Sequence, residues 1–449
     1  MSFQRPSLPR GMRDHLPAEM RRREHVFGVI THHFQRYGFE PLATPTLEKR
    51  ETLLGKYGED AQPLIYHARH EMGKEELSLR YDLTVPLARV VAMHGHELPL
   101  PFKRYQLAPV WRAERPQRGR YREFYQCDAD IVGSSSMAAD AELIALLCDV
   151  LVSLGFGANG PSVTIRINNR KLLRGIGEYA GVDAAHLADL YRSLDKFERI
   201  GVSGVKQELS DRGLSAGIVQ RLVQLLLHSG GNRQSLAALE SELHRFPNAL
   251  AGIHELKSID SLLQAYSIPP VLYTFDFTMV RGLGYYTGPI YEATITEPNL
   301  GSICGGGRYD ELIGIFRRES LPTTGLSIGV ERILDVMTEL DMFSSAIAAS
   351  ASDVWVIIID ESSRPAAISL TQALRAKGMR VEMQLETKPD LGKQFRIANR
   401  KNIPFTLILG PDELAQHTVT SKRMVDGEQR TWSRENDIDE LVAYFHQDP

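Results

Sequence analysis

The sequence predicts an α+β protein in which a strand-rich core is interrupted by a block of helices and followed by a smaller α/β domain. Three observations point to this. From Phe39 to about Gly133, short alternating or apolar runs such as LSLRYDL and FKRYQLAPVW are punctuated by Pro and Gly, the mark of strands with long insertions. From about Asn168 to Gln264 the chain turns rich in Leu, Ala, Glu and Arg with Gly and Ser breaks, as in KLLRGIGEYAG, and reads as helices. Strand-like sequence resumes at Val271, so the helical block, about 168–264, is an insertion within one domain covering 1–345. Finally, 351–449 runs through DVWVIIID, a helix to Gly378, MRVEMQL, a helix through Asn402 and IPFTLILG, a β-α-β-α-β order that predicts a compact α/β domain with a largely parallel sheet.

Near the start, Val26, Phe27, Ile30, Phe34 and Tyr37 recur at helical spacing in an Arg-rich background, and Gly38 stands where such a helix stops. The 449 residues are 43% hydrophobic, enough for two or three domains around at least one sizeable core. No apolar run approaches the roughly 18 to 20 residues of a bilayer span, and the N-terminus has no apolar signal core. A soluble cytoplasmic protein with no membrane partner is expected. The first residues are acid-poor and Arg-containing, as in a transit peptide, but domain-like sequence (PRGMRDHLP) begins at Pro9. A formal charge of -4 excludes a uniformly basic nucleic-acid coat and permits a local basic patch. Cys127, Cys148 and Cys304 form no C-x-x-C pair, so neither a disulfide framework nor a zinc site is expected, and no residues are assigned to a resident metal.

The most informative stretch is VWRAERPQRGRYREFYQCDADIVG, residues 110–133, which reads as two strands joined by a basic loop. Period-two alternation puts Arg112 and Glu114 on one face of the first strand, and Gln126, Asp128 and Asp130 on one face of the second, with Cys127, Ala129 and Ile131 behind them. Charged groups in such a row are costly to bury unless paired or serving a ligand, although the pattern alone also fits a solvated sheet face. Arg115, Arg118, Arg120 and Arg122 in the loop suit phosphate binding. Downstream, Arg281 beside Gly282 and Gly284 precedes Tyr285 and Tyr286; glycines admit a ligand close to the backbone and a tyrosine hydroxyl orients a small polar substrate, though a hairpin with packed aromatics fits as well. CGGGRYDEL lacks the lysine of a P-loop and the G-x-G-x-x-G spacing of a dinucleotide fold.

Together these segments resemble the class II aminoacyl-tRNA synthetases, and specifically the histidyl-tRNA synthetase family, over almost the whole chain. RYGFEPLATPTLE resembles motif 1, with Pro45 at the motif proline; WRAE resembles motif 2; GLSIGVERI resembles motif 3 and ends in Arg332. LRYDLTVP (79–86) and RGLGYYTG (281–288) resemble the segments that distinguish the histidyl branch. The chain departs from the family pattern at Gly284, where an acidic residue is common. The resemblance implies an antiparallel-sheet catalytic core carrying the helical insertion, a C-terminal anticodon-binding domain and, through motif 1, a homodimer.

It also implies a two-step reaction, in which histidine and ATP form histidyl-adenylate and pyrophosphate, and the histidine then passes to the 3′ end of tRNA(His). By resemblance Arg112 and Arg281 are the catalytic cations at the α-phosphate, Glu114 reads the adenine amino group, and Arg332 stacks on adenine and reaches the terminal phosphates, with Mg²⁺ on the outer phosphates. Asp82, Thr84 and Gln126 suit the α-ammonium group of histidine, Asp130 and Tyr286 its imidazole, and Tyr285 the pocket wall. Gln117, Arg118 and Arg120 are implied contacts to the tRNA acceptor end. The alternative expectation is a non-catalytic, synthetase-like regulatory subunit of ATP phosphoribosyltransferase, which shares the core but lacks the anticodon domain.

Overall fold

A computed structural model of the chain describes residues 5–157, 160–183, 186–227, 233–280, 285–298, 300–344, 347, 350–386 and 390–447. Two compact units divide it, one of Met1–Asp14 with Val26–Leu340 and one of His15–His25 with Asp341–Pro449.

The strands of the first unit are β1 (Glu40–Pro41), β2 (Leu47–Lys49), β3 (His67–Ala68), β4 (Leu77–Leu79), β5 (Phe102–Trp111), β6 (Glu123–Val132), β7 (Val163–Asn169), β8 (Tyr273–Phe275), β9 (Pro289–Ile295), β10 (Ser302–Arg308) and β11 (Thr323–Gly329). Among the described residues, one large sheet has the order β1-β5-β6-β11-β10-β9-β7-β8, and β2-β4-β3 form a small antiparallel sheet. The large sheet is antiparallel except for the β1–β5 and β7–β8 pairs. The α+β class follows from this layout.

Helix α1 (Pro17–Arg36) precedes the sheet, and Gly38 after it adopts a left-handed φ of 73°. The region from Phe39 to Gly133, expected as strands, also holds α2 (Arg50–Ala61) and α3 (Thr84–His94). In α3, Val85, Leu87, Ala88, Val90 and Val91 are all buried, so no polar stripe betrays a helical period, and Pro86 sits in the first turn where it costs no hydrogen bond. Helix α4 (Met137–Ser153) is likewise apolar nearly all round, starts at the Ser136 cap and packs on β6 and β11. Between β7 and β8, adjacent in the sheet, the chain makes α5 (Arg170–Ala180), α6 (Leu187–Leu194), α7 (Phe197–Asp211), α8 (Ala216–Leu227), α9 (Arg233–Glu242) and α10 (Pro247–Ala265). Helix α11 (Val330–Glu339) follows β11 directly.

The second unit contains β12 (Val354–Ile358), α12 (Arg364–Ala376), β13 (Val381–Met383), α13 (Leu391–Arg400), β14 (Phe405–Leu409), α14 (Pro411–Ala415), β15 (Thr418–Arg423), β16 (Gln429–Ser433) and α15 (Ile438–Gln447). Its sheet order is β13-β12-β14-β15-β16. Strands β13, β12 and β14 are parallel as the sequence predicts, but β15 and β16 add an antiparallel hairpin that the sequence reading lacked. The charged run SKRMVDGEQRTWS leaves β16 largely exposed, which removes the alternation that would reveal a strand. Alternate residues of β12 serve two cores: Val354, Val356 and Ile358 pack with Leu370, Leu374 and Phe445, while Trp355 and Ile357 pack with Ala398 and Ile403.

The glycine triplet of β10, which superficially resembles a phosphate loop, has a packing explanation. The Tyr291 ring crosses Gly306 to donate to Gly325 O at 2.9 Å, and a Cβ on Gly306 would lie 2.4 Å from that oxygen and 2.4 Å from the ring. Gly306→Ala is therefore expected to destabilise the first unit by about 1–3 kcal/mol through overpacking, read as a lower urea midpoint.

Candidate active site

A cavity of about 360 Å³ opens on the polar face of the large sheet, lined among others by Arg112, Glu114, Gln126, Tyr285, Tyr286 and Arg332. The alternation argument placed Arg112 and Glu114 within the first strand, but β5 ends at Trp111 and both residues lie just beyond it. One further backbone bond, Arg112 N to Arg122 O at 2.9 Å, continues the pairing, while Ala113 N turns away to Leu64 O at 2.8 Å. The alternate residues 112 and 114 still face the same cavity.

The Arg112 guanidinium donates through Nε to Tyr81 O at 3.2 Å and lies 4.5 Å over the Tyr81 ring and 5.1 Å over Phe124. Glu114 is paired with Arg120 at 3.2 Å. Gln117 and Arg120 close the basic loop in a tight turn, with Gly119 at φ 68°. Arg332 Nε donates to Gly119 O at 3.1 Å and its Nη1 to Ser302 O, so one side chain ties the loop to β10. Arg118 pairs with Glu339 on α11.

Beneath the cavity lies a buried polar floor. Register sets Arg104 opposite Asp130 and Gln106 opposite Asp128 across β5 and β6, and then Asp130 opposite Gly325 and Asp128 opposite Ser327 across β6 and β11. Asp130 is held by Arg104 at 2.7 Å and accepts from the Tyr309 hydroxyl, and a Cβ on Gly325 would lie 1.9 Å from its Oδ1. Asp130 is thus part of the floor and does not line the cavity among the described residues. Asp82 accepts from Val85 N at 3.0 Å at the start of α3, where Thr84 is half-buried. Tyr285 stacks on Tyr286 with centroids 4.1 Å apart and meets Tyr309 at 5.9 Å. Burial, reinforced by Tyr286, Asp82 and Asp130, holds the Tyr285 hydroxyl well above the ordinary tyrosine pKa, so it stays a proton donor. Arg281, Gly282 and Gly284 lie outside the described residues.

A family model described as histidyl-tRNA synthetase matches residues 11–333, and one described as an anticodon binding domain matches residues 353–445. The chain belongs to the histidyl-tRNA synthetase family. It is 40% identical to the histidine–tRNA ligase of Porphyromonas gingivalis, covering 95% of this chain and 97% of that one. The crystal structure of histidyl-tRNA synthetase from Nostoc sp. PCC 7120 superposes with a TM-score of 0.87 at 30% identity, covering 99% of this chain and 100% of that one. A Bacillus halodurans structure described as an ATP phosphoribosyltransferase regulatory subunit/histidyl-tRNA synthetase superposes at 0.74 over 90% of this chain and 97% of that one, but its 23% identity carries the fold alone.

For a member of this family, the sequence reading missed several residues that shape the site. Arg104 and Tyr309 stand outside the motifs and Ser327 is an unassigned position within GLSIGVERI; their places in the site appear only once register and packing are known. Glu331, inside GLSIGVERI, lines the cavity, pairs with Arg13 at 2.6 Å and accepts from Tyr125 N at 3.3 Å. Its place beside Arg332 was the one available signal.

Burial pushes the Asp128 carboxyl up to about 7, against the pull of Arg104, with Asp130 and Asp82 adding to the rise. A carboxyl whose folded pKa exceeds its ordinary 3.8 contributes stability below that value and loses it as pH rises through the folded pKa. Thermal melts of the wild-type chain and Asp128→Asn between about pH 4 and pH 8 are expected to diverge, wild type losing stability relative to the variant and the gap levelling above about 7. A gap independent of pH would show that Asp128 ionises normally.

Proposed function

We propose that this cavity activates histidine with ATP and that the chain then transfers the histidine to tRNA(His), as a histidine–tRNA ligase. The observation that carries the reading is the convergence of two guanidinium groups, Arg112 and Arg332, with Gln126 and a tyrosine pair on one cavity, in a chain of this family. Adenylation demands in-line attack by the histidine carboxylate on the α-phosphorus of ATP, so positioning and charge neutralisation dominate. Arg112 receives the α-phosphate and carboxylate, preset by its bond to Tyr81 O. Arg332, already bridging Gly119 and Ser302, flanks the nucleotide. Glu114 reads the adenine amino group after release from Arg120, and Arg281 is carried over by resemblance as a second cation at the α-phosphate.

For histidine, Gln126 with Asp82 and Thr84 takes the α-ammonium group. Tyr286 reads the imidazole, with Tyr285 forming the wall; Asp130, given to the imidazole by resemblance, stands in the floor beneath them, held by Arg104 and the Tyr309 hydroxyl. Mg²⁺ would arrive with ATP and offset the charge of its outer phosphates, and no side chain of the lining is assigned to hold it. Gln117, Arg118 and Arg120 present the acceptor-end contacts, and the division at 1–345 and 351–449 separates catalysis from anticodon binding. No helix among the described residues is long and apolar enough to cross a membrane, in keeping with a cytoplasmic enzyme. The regulatory-subunit alternative has only a fold-level likeness behind it.

Pyrophosphate exchange into ATP, run with each of the twenty amino acids, is expected to proceed with histidine alone and to fall on the order of 10²–10³-fold in Arg112→Ala. A folded chain that binds histidine without exchange would overturn the ligase reading. The homodimer is tested by light scattering, where the expected mass is twice the 50.3 kDa of one chain; a monomer would remove it.

A further inference from the structure

We propose that Arg13 is a positioning residue for the nucleotide, neutralising the Glu331 carboxylate and holding Tyr121 in the cavity wall so that the phosphates of ATP meet Arg332 without an opposing charge. This deepens the reading of the nucleotide side given above and rests on it. Helix α11 carries Glu331, Asp335 and Glu339 four residues apart, a like-charged row that a helix does not favour by itself. Each is met by a residue of another segment. Glu331 pairs with Arg13 at 2.6 Å, Asp335 accepts from the Tyr121 hydroxyl at 3.4 Å, and Glu339 pairs with Arg118. Tyr121 and Arg118 belong to the basic loop, which therefore lies along this row. Arg13 comes from PRGMRDHLP, a segment to which the motif resemblance assigns no role.

The N-terminal segment is fastened to the loop without the Arg13 side chain. Gly11, at φ 82°, accepts from Arg122 N at 2.9 Å, and a Cβ there would lie 2.7 Å from the Pro116 ring and 2.9 Å from the Arg122 side chain. Arg13 then reaches 318 positions along the chain to Glu331, with its guanidinium 3.4 Å over the Tyr121 ring. One cation thus joins two residues that both line the cavity. The Glu331 side chain is 6% exposed, against 31% for Arg13. A carboxylate so buried is costly without a cation beside it, and in this wall its charge would also oppose an incoming triphosphate. Donation from Tyr125 N at 3.3 Å steadies Glu331 but brings no net charge. Neutralised by Arg13, Glu331 leaves the positive charge of the neighbouring Arg332 to act on the nucleotide.

Pyrophosphate exchange at saturating Mg²⁺ would be measured for the wild-type chain, Arg13→Met and Arg13→Lys. Methionine keeps apolar length beside the Tyr121 ring without a charge, while lysine restores the charge. Arg13→Met is expected to raise the ATP KM roughly tenfold, with kcat and the histidine KM held within about twofold, and Arg13→Lys to stay within about threefold of wild type. A merely structural loss would fall on both substrates and would not be relieved by charge alone. Should Arg13→Met melt below the assay temperature, Arg13→Gln carries the same test, keeping a donor for Glu331 but no charge. An unchanged or lower ATP KM in the folded variants, an ATP KM raised as much by lysine as by methionine, or a loss shared by kcat and the histidine KM overturns the proposal. Wild-type protein that fails to exchange with histidine overturns the ligase reading instead. ATP binding to wild type and Arg13→Met, read by calorimetry, then decides the role of Arg13 separately: roughly tenfold weaker binding in the variant sustains it, and equal binding overturns it.

Discussion

Arg104 is fully buried in β5, its Nη2 bonded to Leu83 O at 3.1 Å and set 2.7 Å from Asp130, with Asp128 close enough to feel its charge. Removing a guanidinium and two carboxyls from water costs on the order of several kcal/mol for each ion unless they compensate one another. The register of β5, β6 and β11 achieves this compensation by bringing the three groups into neighbouring rows. A slip of one residue would turn each of these side chains to the opposite, apolar face of the sheet. The charges thus enforce the register, and the register builds the floor on which Gln126, Tyr285 and Tyr286 meet.

A second buried ion pair secures the other side of the sheet. Arg308, at the end of β10, pairs with Asp140 of α4 and donates to Ser134 O at 2.7 Å and Ser136 O at 3.1 Å. Its own carbonyl accepts from Thr287 N at 2.8 Å. One residue therefore joins the helix behind the sheet, through its side chain, to the segment that follows Tyr285 and Tyr286, through its backbone. On the open side, Arg332 does comparable work between the basic loop and β10. Buried pairs hold the floor, while the loop above it is held by Arg332 and by surface pairs such as Arg118–Glu339 and Arg120–Glu114.

Much of this was legible in the sequence where a periodic pattern or a dense motif existed. The alternation of Gln126, Asp128 and Asp130 against Cys127, Ala129 and Ile131 fixed the two faces of β6, and the helical block between two strand regions was visible from composition. Pattern failed where burial was uniform, as in α3, and where exposure was, as in β16. It also overextended β5: alternation persists through Arg112 and Glu114 because the chain stays extended, although the ladder has ended. Composition cannot distinguish an extended segment that is paired from one that is not.

By itself the sequence determined the α+β class, the family, the faces of the strands and several of the residues around the cavity, because each of these depends on local order or on a contiguous motif. Only the tertiary structure decided which residues stand opposite one another. Arg104, Asp128, Ser327 and Gly325 come from β5, β6 and β11 and Tyr309 directly follows β10, and their partnerships arise from packing and hydrogen-bond register between segments up to about two hundred residues apart, as in Gln126 with Ser327, |i−j| 201. Pairing of that kind is set by the cost of leaving buried charges and donors unsatisfied, which no single segment of the chain carries alone.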